Sequence, residues 1–73
     1  MTKLDLLEFL AGAGSADATE VAKAFAAPYA TAAMALLRLC RQGLVQRAVD
    51  PLSGTLWYRL TDRGWDRLRY FSD

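Results

Sequence analysis

The residues able to do chemistry in this chain are few, and their types narrow the options quickly. There is no histidine, which removes the commonest general base and the commonest metal ligand. One cysteine, Cys40, cannot build a zinc or iron–sulfur site. On the inner half of its helix, it reads as a small buried hydrophobe. Glycines 12 and 14 precede Ser15 but lack the lysine and the spacing of a phosphate loop. The carboxylates are scattered, and several stand where helices begin. These absences point to a protein that is not an enzyme and holds no metal or cofactor. The arginines remain. Residues 38–69 carry Arg38, Arg41, Arg47, Arg59, Arg63, Arg67 and Arg69 against Asp50, Asp62 and Asp66, a net charge of +4. Residues 1–37 carry Lys3 and Lys23 against Asp5, Glu8, Asp17 and Glu20, a net charge of −2. A total of +1 says little about partners, but a second half whose cations are all arginine suits phosphate.

The elements that position these arginines follow from the rest of the chain. Seventy-three residues, 53% of them apolar, allow one small folded domain, 1–73, and no second core. A lone cysteine fits a reducing, cytoplasmic setting. The N-terminus does not read as a signal peptide, and no apolar run is long enough to cross a bilayer, so no membrane role is expected.

Leucines 4, 7 and 10 give residues 2–11 a helical stripe, with Leu6 and Phe9 beside it, and two glycines end it at residues 12–14. Asp17 and Glu20 form a capping-box start for a short helix to about Phe25, with Val21, Ala22 and Phe25 inward. Pro28 starts a longer helix over residues 28–42, and Gly43 caps its end. A strand over 44–49, turn chemistry at 50–54 and a returning strand over 55–60 make a hairpin. Leu56, Tyr58 and Leu60 alternate with Thr55, Trp57 and Arg59. Thr61 or Asp62 then caps a last helix to about Phe71. A very short strand near Ser15 and Ala16 could pair with the hairpin. The expected core includes Leu4, Leu7, Val21, Phe25, Leu36, Leu39, Val45, Leu60 and Leu68.

The stretch Leu39-Cys-Arg-Gln-Gly-Leu-Val-Gln-Arg47, with Leu60-Thr-Asp-Arg-Gly64 after it, resembles the MarR-type and related small bacterial and archaeal winged-helix regulators. Their typical pattern is L-x-x-x-G-L-V-x-R…L-T-x-x-G. The resemblance spans about residues 16–68 by eye, with boundaries good to about two to four residues. It implies a mainly helical winged helix-turn-helix, α-α-α-β-β-α, with a small β-hairpin wing over 45–60. It further implies a transcriptional regulator that binds double-stranded DNA as a homodimer, with helix 28–42 in the major groove and the wing on the backbone.

Carried over residue by residue, Ala32, Leu36 and Leu39 face inward on that helix. Ala30, Thr31, Met34, Leu37, Arg38 and Arg41 face outward. The DNA-binding residues expected from the resemblance are Thr31, Met34, Arg38, Arg41, Arg47 and Arg59. Leu6, Phe9 and Leu10, with Trp65, Tyr70 and Phe71, offer more apolar surface than one small core absorbs and are the expected dimer interface. The alternative is a winged-helix protein–protein interaction module that does not read bases and uses the apolar face around Met34 and Leu37.

Overall fold

The computed structural model describes residues 1–72, and side chains for residues 1–70. The order is α1 (Lys3–Ala13), α2 (Ala18–Ala24), α3 (Tyr29–Arg41), β1 (Val45–Val49), β2 (Leu56–Leu60) and α4 (Asp62–Ser72). The expected sequence α-α-α-β-β-α is thus observed.

α1, α2 and α4 begin where a side chain satisfies orphan N–H groups. At α1, Thr2 Oγ1 accepts from the Asp5 N–H at 3.1 Å and Asp5 Oδ2 accepts from the Thr2 N–H at 2.9 Å. These bonds hold the Asp5 carboxyl below its ordinary pKa. The contribution of this cap is therefore full above the ordinary carboxylate range and is lost as pH falls through the lowered folded value. α1 runs two residues past the expected end. Gly12 is accommodated within the helix, and it is Gly14, at φ +80°, that turns the chain away. At α2 the expected box forms: Asp17 Oδ1 accepts from the Glu20 N–H at 2.7 Å, and Glu20 Oε1 from the Asp17 N–H at 3.2 Å.

Pro28, extended at φ −60° and ψ 146°, delivers the chain into α3. α3 ends in a paired closure. The Leu44 N–H reaches Leu39 O and the Gly43 N–H reaches Cys40 O, both at 3.0 Å, with Gly43 at φ +76°.

The hairpin is antiparallel, with Val45 opposite Leu60, Arg47 opposite Tyr58 and Val49 opposite Leu56. Asp50 closes its turn. The Gly54 N–H reaches Asp50 O at 2.8 Å, and the Leu52 N–H reaches Asp50 Oδ1 at 2.9 Å. The short third strand is present as one bridge, Ala16 to Tyr58, with N···O distances of 3.0 and 2.8 Å. Thr61 caps α4 and ties it to the end of α3. Its hydroxyl donates to Gly43 O at 2.6 Å and accepts from the Gly64 N–H at 3.1 Å, while its own N–H reaches Leu44 O at 3.0 Å.

The core lies between α1, α2, α3 and the base of the hairpin. Leu7, Leu10, Val21, Leu36 and Leu44 are fully buried, joined by Leu6, Ala32, Leu39, Val45, Tyr58 and Leu60. Phe25 and Leu68 pack against it half-buried, and Leu4 is half-buried at the edge of α1. Of Leu56, Tyr58 and Leu60, which share one face of β2, Tyr58 and Leu60 are buried. Leu56, at the outer end of the hairpin, is 39% exposed.

α1 thus presents Leu6, Leu7 and Leu10 inward, and this corrects the expectation that Leu6 and Leu10 form a self-association surface. They are 2% and 0% exposed. Residues three and four apart share one helix face, and α1 turns that face toward α3, α4 and β2. Phe9 is half-buried, its ring meeting Phe25 edge to face at 5.7 Å and 65°. Of the aromatic residues expected on that surface, Trp65 and Tyr70 are exposed. The Phe71 side chain lies outside the described residues.

Candidate nucleic-acid interface

α3 buries Ala32, Leu36 and Leu39 and leaves the opposite side bare. Ala30, Thr31, Met34 and Arg38 border one shallow hollow of about 320 Å³. These positions fall along one stripe of the helix, and Arg41 follows three residues beyond Arg38. No acidic residue lies anywhere on α3. The helix is about 20 Å long at 1.5 Å per residue, and Arg38 stands about 14 Å along it from Tyr29. Its first half is therefore methyl-rich and its last turns are cationic.

The first-turn N–H groups have no side-chain cap, which leaves the positive end of the helix dipole open. Tyr29, 62% exposed at the head of the helix, was missed by the sequence reading. The signal was available: it directly follows the proline that starts the helix.

Arg47 and Arg59, expected to act together, are placed on opposite faces of the hairpin. Arg47 is opposite Tyr58, whereas Arg59 is opposite Gln46, and directly opposed residues share a face. Arg47 therefore shares a face with Val45, Tyr58 and Leu60, the face that packs toward the helices, and it is itself exposed. It approaches α3 closely enough to act on Cys40. Burial pushes the Cys40 thiol up, and the Arg47 guanidinium opposes that shift. Burial thus disfavours the reactive thiolate form of this half-buried thiol.

Arg59 is engaged elsewhere. With the Gln46 amide oriented oxygen toward the guanidinium, that oxygen accepts from Arg59 Nε at 2.5 Å and Nη2 at 2.6 Å. Arg59 and Gln46 border a separate open hollow of about 630 Å³ with Arg63 and Trp65. Arg69 meets Asp66 at 3.6 Å, an exposed pair within α4 of little energetic weight. No group of three or more His, Cys, Asp or Glu side chains among the described residues could hold a metal ion. No helix among them is long and apolar enough to cross a membrane.

Solved structures share this fold. A MepR variant from S. aureus bound to an oligodeoxyribonucleotide superposes with a TM-score of 0.90 at 23% identity, over 96% of this chain and 53% of that one. A MarR variant from E. coli complexed with operator DNA gives 0.87 at 20% identity, over 93% and 49%. A probable transcriptional regulator from Pseudomonas aeruginosa gives 0.86 at 27% identity, over 96% and 54%. The fold is a winged helix-turn-helix.

The chain spans about half the length of these solved chains, 49–54%. No family model matches the sequence, and no curated protein matches it. In winged-helix terms, α2 and α3 are the helix-turn-helix, α3 the recognition helix, and β1 and β2 the wing. The resemblance seen in the L-x-x-x-G-L-V-x-R and L-T-x-x-G segments now has its structural reason. Gly43 closes the recognition helix, Leu44 and Val45 enter the core, and Thr61 and Gly64 lock the last helix onto that closure.

Proposed function

We propose that this chain, 1–73, is one winged-helix domain of a DNA-binding transcriptional regulator. α3 enters the major groove and the wing lies on the backbone. The observation that carries the reading is the exposed, carboxylate-free face of α3, which ends in Arg38 and Arg41; on the wing, Arg47 is exposed on the strand face that it shares with Tyr58. The DNA complexes of the MepR and MarR variants, on the same fold, support it. In this docking Thr31 and Met34 meet base edges, and Arg38 and Arg41 meet phosphate. Arg47 carries the wing's phosphate contact, while Arg59 braces Gln46 across the wing. The lone cysteine fits a cytoplasmic protein.

A salt series on random duplex DNA tests this. Three arginines that each neutralise one phosphate give a log–log slope of about −3 per chain. Arg47→Ala should flatten it by about one unit, and Arg59→Ala should leave it unchanged. Absence of binding at low salt would overturn the reading in favour of an interaction module built on Met34 and Leu37.

A single winged helix reads one half-site, and two-fold sites call for a dimer. We place that contact on α4, where Trp65 is 44% and Tyr70 76% exposed. Sedimentation should find a dimer that Trp65→Asp with Tyr70→Asp dissociates and Met34→Asp does not. The reverse result would make α3 the protein interface and exclude it from DNA. A native monomer at high concentration would remove the dimer altogether.

A further inference from the structure

The first two turns of α3 restrict what the helix can read. Guanine is selected by paired donors from Arg or Lys, and adenine by the donor and acceptor of Asn or Gln. The exposed positions of these turns are Tyr29, Ala30, Thr31 and Met34, with Ala33 half-buried among them. They hold hydroxyls and methyls but neither a guanidinium nor an amide. The nearest guanidinium, Arg38, stands one turn beyond Met34 at the far rim of the hollow that Ala30, Thr31 and Met34 line, about 14 Å along the helix from Tyr29.

Met34 is 47% exposed and lines the hollow with Ala30 and Thr31. Carrying this surface into water-filled contact with polar base edges gains nothing. The 5-methyl group of thymine is the apolar feature that the major groove offers. Charge decides between DNA and an apolar protein as occupant. The same stripe continues into Arg38 and then Arg41, with no carboxylate on α3 to repel phosphate.

We propose that this chain recognises half-sites by the thymine 5-methyl groups of A·T pairs, through Ala30, Thr31 and Met34. This rests on the DNA-binding reading above. Specificity then comes from methyl–methyl burial, and Arg38 and Arg41 supply affinity without sequence preference.

The test selects binding sites from random duplexes with the full chain, then rebuilds the best site with deoxyuridine in place of thymidine. That change removes the methyl and keeps the pairing and the minor-groove pattern. Selected sites should be A·T-rich where α3 docks. Each contacted thymine replaced should weaken binding about fourfold, the worth of one methyl withdrawn from water. Met34→Ala should shrink the deoxyuridine penalty while preserving the salt slope.

Equal affinity for the two duplexes, or sites led by guanine, would overturn the proposal and leave DNA binding standing. No duplex binding at low salt would overturn both.

Discussion

Gly64→Ala is expected to cost this domain a large fraction of its stability. A Cβ built at Gly64 would lie 2.1 Å from the Leu44 carbonyl oxygen and 3.2 Å from Leu60 Cδ2. The first neighbour is backbone, and that same oxygen accepts from the Thr61 N–H at 3.0 Å. It cannot retreat without breaking the junction that ties α4 to the end of α3. A helical glycine replaced by alanine ordinarily gains about 0.5–1 kcal/mol. Here overpacking at about 3 kcal/mol outweighs that gain. A domain of this length has roughly 4–11 kcal/mol in total, so the urea midpoint should fall by a large fraction with m unchanged. Gly12→Ala is the control. It lies within α1 with nothing within 4 Å of the added Cβ, so it should raise the midpoint. A Gly64→Ala midpoint at or above that of the native chain would show that the junction yields.

The parts of the fold legible in the sequence were those decided by residues close together in the chain. Asp17 and Glu20, Pro28, Gly43, the turn around Asp50 and the Thr61–Gly64 cap each satisfy backbone groups within a few residues. They place the helix-turn-helix and the wing without any knowledge of packing.

The rotation of α1 was not legible in the same way. Leucines at 4, 6, 7 and 10, with Phe9, fit more than one helical stripe. The choice falls to what α3, α4 and β2 offer, and they take Leu6, Leu7 and Leu10. This is why the surplus apolar surface expected of α1 is absent, while Trp65 and Tyr70 of the same expected surface are exposed on α4. The inward face of α3 was read correctly, because Ala32, Leu36 and Leu39 form one unambiguous stripe, whereas Leu37, expected outward, is half-buried.

The wing arginines were not, because strand faces depend on register. With Val49 opposite Leu56, the partner of Arg47 is Tyr58, and a side-chain period of two puts Arg59 on the other face. The register is fixed by the turn at 50–54, so the separation of the two arginines follows from loop length.

Arg38→Ala with Arg41→Ala should have the largest effect on DNA binding. Both side chains are exposed at the end of α3, so circular dichroism and the urea midpoint should match the native chain. Hydrogen bonds to charged groups contribute about 1.5–3 kcal/mol each. Two lost contacts therefore weaken duplex binding by about a hundredfold or more at low salt. The log–log salt slope should flatten by about two units, since each phosphate contact accounts for about 0.9. The loss should be the same on selected and random sequences, because phosphate contacts carry no base information. Paired replacement by lysine separates charge from shape. It should restore the slope, which counts charges, and recover only part of the affinity, because an ammonium cannot make the two-pronged contact of a guanidinium. An alanine variant that binds with the native slope would place the phosphates elsewhere on the molecule. A variant that loses only sequence preference would put Arg38 and Arg41 on base edges, and the methyl-rich first turns of α3 would then lie outside the groove.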